Sequence, residues 1–563
     1  MKKYKQLYAG IVTCIAMILI SLNAIGQKRQ IQAFEKVINQ AIQKAYPASV
    51  RMWGFDVQQN QRTSAQFSGV VVSADGYILT AAHTIVSGKN YKVFFPDGKA
   101  CIALALGRID NPSTPGMPDV GMMKIIDKGI WPFAEMGYSG SLVQNEPCIS
   151  ISYPESLNQT LPTLRLGQVA EVKNKYGFIR STCKMEPGDS GGPLFDYHGR
   201  VIGLHSAIDV AEDQNFEIPV DLYRKYWTAL QLEVNYTTFP EKEEALIPDP
   251  LLKTIIEENR QKVLHPDLKK QVSNPSGVLF VNSLNSEIQT VDGVLFNKNI
   301  NGRKRQFLIS KLSLVAKNPK LIAYKEIPIV VLAKDKTNDL ILLELKQKIK
   351  GGIDFNGISA DSSAITMGKL IYTLKSDGQV IPSVLSSSLF ALPKISSQAY
   401  LGAMVMFNSQ PAQFSLIKPN SPASRAGLQV GDELLSINGK AISRANEFAP
   451  EMLKFWPGDS LTLGWKNTSG IVSKTFVLDG LTTGKFNHPA EQFEGGKSIR
   501  RDGFQRVFAH DGTVKSNACG SAVFDQEGNF LGINIARFSR TSTLVIPAFV
   551  IRRFIEESVV PGH

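Results

Sequence analysis

Ser190 lies in the stretch KMEPGDSGGPLFD (184–196), among Gly188, Gly191 and Gly192. A serine hydroxyl is a weak nucleophile at neutral pH. It needs an adjacent base, and that base needs an acid to orient it. Imidazole suits the first task because it titrates near neutrality. His83, at the end of LTAAH, can serve as that base. A buried carboxylate suits the second, and Asp119 opens the apolar run DVGMMKI. Gly188 and Gly191 permit a tight turn that points amides inward. The N–H groups of Gly188 and Ser190 could then hold an oxyanion, at about 2.7–4 kcal/mol per donor. Together these residues predict nucleophilic attack on a carbonyl.

Such residues need a frame that brings distant positions together. IQAFEKVINQAIQKAYP reads as a helix that Pro47 stops. Short strand signals follow. FSGVVVSADGYILTAAH holds two apolar runs around Ala74-Asp75-Gly76, and YKVFFPDGKACIALALGRID repeats the pattern around Pro96-Asp97-Gly98. PCISISY, TLRLGQVAEV, GFIRSTC and RVIGLHSAI come after, about ten to twenty residues apart. This spacing predicts an all-β barrel or sandwich.

TAAH, DVGMMKI and GDSGGPLFD, in that order, resemble the chymotrypsin-like serine proteases, and most nearly their bacterial HtrA (Deg) branch. The resemblance covers about residues 35 to 230. It implies two packed six-stranded β-barrels with the site between them, His83 as general base and acid, Asp119 as its orienting acid and Ser190 as nucleophile. Asp110 and Asp127 compete with Asp119, but only Asp119 directly precedes an apolar strand with the family's pattern. The resemblance also implies a specificity pocket walled by Lys184 and Met185 on one side and by His205, Ser206 and Ala207 on the other. Two cations there would suit an acidic substrate side chain, as in the glutamate-specific bacterial members. If His205 faces the core and Lys184 reaches solvent, Met185 shapes an apolar pocket instead.

Residues 232–275, rich in charge and proline, read as a linker with one helix in LLKTIIEENRQKVL. Beyond it the strands resume. QFLISKLSLV aligned with YILTAAHTIV sets Leu312 against His83, DLILLEL sets Asp339 against Asp119, and NACGSAVFD sets Cys519 against Ser190. The second half thus looks like another chymotrypsin-like domain with a broken triad, since leucine can neither act as base nor lower a thiol's pKa. Asp119 and Ser190 are 71 residues apart, Asp339 and Cys519 180, so about 109 residues are inserted. The insert contains YLGAMVMFNSQPAQFSLIKPNSPASRAGLQVGDELLSINGK, which resembles a PDZ domain of the bacterial protease type. By that resemblance Leu401, Gly402, Ala403 and Met404 line its carboxylate-binding loop. PDZ domains take protein C-termini or extended segments by strand addition.

The fold class expected is therefore mainly β: two chymotrypsin-like double barrels, the second degenerate, plus one PDZ domain. The expected divisions are 1–26 signal peptide, 27–231 protease domain, 232–275 linker, 276–397 first part of the degenerate domain, 398–482 PDZ, and 483–563 the remainder. Lys2, Lys3 and Lys5, the apolar run Ala9–Leu22 and Ala24-Ile25-Gly26 form a secretory leader. The run is short for a membrane span, so a membrane enters only if the leader stays uncut. The protein is 43% hydrophobic and 20% charged, a globular composition, with net charge +12 that falls to about +9 once the leader's three lysines are removed. No lysine or arginine cluster is interleaved with aromatics, which argues against nucleic acid. Cys101, Cys148, Cys183 and Cys519 are scattered, with no metal-ligand spacing and three ways to pair. The sequence thus reads as an exported serine endopeptidase of the periplasm or cell envelope, acting on protein or peptide substrates with no metal or organic cofactor. A non-catalytic peptide-binding scaffold or chaperone and a glutamyl endopeptidase are the alternatives.

Overall fold

The computed structural model describes residues 26–110, 118–268, 278–284, 288–315, 319–323, 325–480 and 488–559. The expected leader lies outside them except for its last residue. No helix of the described residues is long and apolar enough to cross a membrane.

A helix over residues 26–45 opens the described part, and Pro47 sits in the short 3-10 turn Tyr46–Ala48 that ends it. Ser49–Asp56 then starts the first barrel. The hairpin expected around Gly76 forms from Phe67–Val71 and Tyr77–Ala81, with Val70 opposite Leu79. Asn90–Phe94, Ala100–Ile109 and Val120–Ile125 complete the sheet, which closes because Ala100–Ile109 pairs Val120–Ile125 as well as Asn90–Phe94. Val50, Met52, Val71, Ile78, Val93, Ala103 and Met123 alternate inward and are fully buried. The second barrel is a closed ring of six strands: Ile179–Ser181, Asn215–Pro219, Val201–Ile208, Pro193–Asp196, Pro147–Ser152 and Thr163–Glu171. The strand spacing implied an all-β barrel or sandwich, and the structure has the two barrels that the family resemblance implied.

In the second half the six strands Val380–Val384, Leu370–Leu374, Ala522–Asp525, Phe530–Arg537, Thr543–Pro547 and Phe508–His510 pair in the order of the closed ring. The correspondence is atomic in places: Gly520 N bonds Asn534 O at 2.7 Å just as Gly191 N bonds His205 O at 2.7 Å. Between Val380–Val384 and Phe508–His510 lies the inserted unit, a four-stranded and two small two-stranded sheets around Leu401, Phe414, Leu434, Leu463 and Trp465. Trp456 fixes it to the second half. The Arg500 guanidinium lies 3.4 Å over its ring and the Lys394 ammonium 3.8 Å, contacts that are attractive to the π face.

The halves are packed together. Ile31, Phe34 and Ile38 of the first helix share one core with Leu370 and Val384 of the second half. Thr163–Glu171 and Val380–Val384, equivalent strands, meet where Leu164 N bonds Ser386 O at 2.9 Å. The expected linker holds the helix Leu252–Asn259, shorter than its apolar pattern. All four cysteines in the described part are free and buried.

Candidate active site

The strand Tyr77–Ala81 ends in the 3-10 turn Ala82–Thr84, which carries His83. Asp119, one residue before its own strand, fixes that turn: Ala82 N bonds its carbonyl at 3.0 Å and His83 N its Oδ1 at 2.8 Å. Its Oδ2 meets His83 Nδ1 at 2.6 Å and accepts from Ser206 Oγ at 2.8 Å. Nδ1 is thus committed to the carboxylate, and Nε2 remains for a reacting proton. Burial draws the imidazole pKa down, but the bond to Asp119 and its charge outweigh this and leave it above the ordinary 6.5.

Ser190 sits on the predicted turn. Gly188 has φ +95° and Gly191 φ +74°, which side chains rarely adopt. A Cβ on Gly191 would stand 2.0 Å from Thr80 Oγ1, so the turn presses on the strand that leads to His83. The amides of Asp189, Gly191 and Gly192 bond Glu186 O, His205 O and Asp189 O. Those of Gly188 and Ser190 have no acceptor among the described residues, the state an oxyanion site requires. His83, Gly188 and Ser190 line one cleft of ≈ 540 Å³, together with Met185, His205, Ser206 and Ala207. No hydrogen bond joins His83 to Ser190 among the described residues. Such bonds are often long before substrate binds.

Asp189, next to Ser190, is fully buried. It meets the Arg165 guanidinium at 3.1 Å and accepts from Ser152 Oγ at 2.8 Å. Burial raises its pKa to about 6. Arg165 stood out in no motif, because its partner is 24 residues away and only barrel closure joins them.

Two pocket residues require correction. Lys184 does not face the cleft. Its ammonium bonds Asp511 O at 2.8 Å and Thr513 Oγ1 at 2.6 Å in the second half, and burial lowers its pKa to about 7. His205 reaches the cleft wall but is fully buried. Its Nε2 is 2.6 Å from Ser150 Oγ and its Nδ1 3.6 Å from Glu217. Burial pulls its pKa to about 3, so it is neutral at physiological pH. Neither supplies the cation that an acidic side chain would need. Met185 and Ala207 remain as apolar lining, and His488 and Pro489 of the second half add a wall that the sequence did not reveal.

The alignment of the second half is one residue out of register. Leu312 N bonds Asp339 O at 2.7 Å and Ser313 N bonds Asp339 Oδ1 at 2.8 Å, the bonds that Ala82 and His83 make to Asp119. Ser313, not Leu312, therefore stands where His83 does. Asp339 pairs with the Lys311 ammonium at 2.8 Å, and Cys519 is fully buried, its thiol pKa raised by burial. In the inserted unit Leu401 is buried, Gly402 has φ +75°, and Met404 is 59% exposed. Ala403–Val405 pairs only Phe414–Ile417 among the described strands, which leaves its other edge open.

Residues 67–204 match the trypsin-like peptidase domain and residues 413–452 the PDZ domain. A Synechocystis protein provisionally named as serine protease HhoB is 28% identical over 241 residues, 41% of this protein and 55% of that one. Serine protease HTRA1 of Xenopus laevis is 30% identical over 199 residues, 34% of this protein and 42% of that one. A DegP-like protein of Pseudomonas fluorescens, described as a probable periplasmic serine endoprotease, is 31% identical over 162 residues, 28% and 33%. The present sequence thus spans only a third to about half the length of these relatives. It bears a trypsin-like peptidase domain and a PDZ domain, and its likeness is to the HtrA and DegP-like serine proteases.

Proposed function

We propose that this protein is an exported serine endopeptidase that hydrolyses peptide bonds in protein substrates of the cell envelope. The observation that carries the reading is the Asp119–His83 pair and the Ser190 turn on one cleft, with the amides of Gly188 and Ser190 left without an acceptor among the described residues. Asp119 holds the proton on Nδ1, so that Nε2 can accept the proton of Ser190 Oγ as it attacks. The tetrahedral oxyanion takes the amides of Gly188 and Ser190. The imidazolium, stabilised by Asp119, then protonates the leaving amine, and water repeats the sequence on the acyl-serine. Met185 and Ala207 favour a medium-sized apolar side chain before the cleaved bond.

The domain divisions read from the sequence belong to this proposal. In it the second half is a protease-derived domain without catalysis. Ser313 cannot act as a base, and Lys311 neutralises the acid that would orient one. The PDZ domain holds extended segments or C-termini against the open edge of Ala403–Val405, with the 401–404 loop at the carboxylate. The leader at residues 1–26 and the periplasmic description of the DegP-like relative support export. A fluorophosphonate probe and casein digestion test the enzyme. The mature protein is labelled and digests casein, and Ser190→Ala abolishes both. Absence of labelling in the intact protein would leave a peptide-holding scaffold.

A further inference from the structure

The second half grips the loops that shape the Ser190 turn. Thr541 Oγ1 donates to Glu186 Oε2 at 2.9 Å, with both residues buried. The other oxygen of Glu186 accepts from Ser156 Oγ. Glu186 is also the near end of the turn: its N–H bonds Asp189 Oδ2 at 2.9 Å and its carbonyl accepts Asp189 N at 3.1 Å. Asp189 Oδ1 is held from behind by Arg165 at 3.1 Å. The strand of Arg165 is pinned in turn, since Leu166 N bonds Asp511 Oδ2 at 2.9 Å while Val384 N bonds Oδ1 at 2.8 Å.

The opposite wall of the cleft is held in the same way. Arg540 donates to Asp209 O at 2.6 Å and to Ala211 O at 2.7 Å, just past Ile208. Arg537 pairs with Glu212 at 3.1 Å. Both arginines are fully buried. Thus Glu186 and residues 209–212, which flank the cleft, are tied to one short segment, Arg537–Thr541.

From this we infer that the second half is a permanent intramolecular clamp. Thr541, Arg537 and Arg540, with Asp511 acting through the strand of Arg165, hold the Ser190 turn in the shape that exposes its two amides. They are positioning residues, since none touches the cleft. The physical basis is that the amides of Gly188 and Ser190, without acceptors among the described residues, together with Asp189 buried between them, disfavour this turn unless its flanks are fixed from outside. The effect on rate rests on Ser190 being the nucleophile, but the clamp itself does not.

Thr541→Val removes one hydroxyl at nearly constant shape. It is expected to lower kcat toward a peptide substrate, and the fluorophosphonate labelling rate, about 10-fold with KM nearly unchanged. Thr541→Ser keeps the donor and restores both. Arg165→Met is expected to lose more and Arg165→Lys to recover part, because only the lysine keeps a cation beside Asp189. Deuterium exchange of residues 184–192 provides a reading that does not need activity. Thr541→Val speeds it while the remaining peptides of the first barrel keep their protection. Unchanged exchange in Thr541→Val, or equal losses in Thr541→Val and Thr541→Ser, overturns the clamp. Faster exchange in a protein that the probe never labels would retain the clamp and refute the hydrolase instead.

Discussion

Asp119→Asn is the most searching perturbation of the site, because its consequence can be worked out bond by bond. The carboxylate accepts from the His83 backbone N–H on Oδ1 and from His83 Nδ1 and Ser206 Oγ on Oδ2. Asparagine offers one oxygen and one NH2. With the oxygen toward the backbone N–H, the NH2 points at Nδ1 and forces the proton onto Nε2, where it blocks acceptance from Ser190. With the groups exchanged, NH2 meets the backbone N–H and the 3-10 turn loses its anchor. The first arrangement preserves the fold and inverts the tautomer, a change that costs about 10⁴ in kcat in the serine-protease triad. That factor corresponds to about 5.4 kcal/mol of barrier. Loss of the charge also removes what raises the imidazole pKa, so the residual activity should titrate at lower pH. Steady-state hydrolysis of a peptide ester or amide between pH 5 and 10, on the variant and the parent, measures both effects. A variant within tenfold of the parent at pH 8, with the same profile, refutes the tautomer argument and the role of Asp119.

Four further expectations follow from the same geometry. Activity needs neutral His83, whose pKa is raised above 6.5. kcat/KM should therefore be low in acid and climb as pH passes a value above 6.5, and a profile flat from pH 5 to 8 contradicts this. A library varied at the residue before the cleaved bond should favour Leu, Met or Val over Glu and Asp, since neither Lys184 nor His205 offers a cation. Preference for Glu would restore the acidic pocket. Gly191→Ala should lose nearly all labelling and at least about 2 kcal/mol of stability in urea, because a Cβ 2.0 Å from Thr80 Oγ1 cannot be housed at φ +74°. Cys519→Ser should leave casein digestion unchanged, and a measurable loss would assign chemistry to the second half.

Much of this was legible in order along the sequence. Turn chemistry at Gly76 and Gly98 marked hairpins because those φ values, +95° and +88°, suit glycine. The motif residues around His83, Asp119 and Ser190 carried their chemistry in their types. The register error at Leu312 arose because apolar alignment matches strand faces, whereas the position equivalent to His83 is set by which amide reaches the acid. Only backbone bonds to Asp339 distinguish Ser313 from its neighbour. Lys184 misled for a similar reason. Its place before the nucleophile is fixed by sequence, but the direction of a long side chain is decided by whichever polar groups lie nearest, here Asp511 and Thr513.

By itself the sequence determined the barrels' strands, the candidate nucleophile with its turn, and the presence of an inserted PDZ-like unit, since these depend on local pattern and residue type. The tertiary structure alone decided that Arg165 meets Asp189, that His205 is buried neutral, that His488 and Pro489 wall the cleft, and that Thr541 and Arg537 bind the loops around Ser190. Those facts rest on contacts between residues tens to hundreds of positions apart. Barrel closure and the packing of one half on the other create them, and no short-range pattern encodes them.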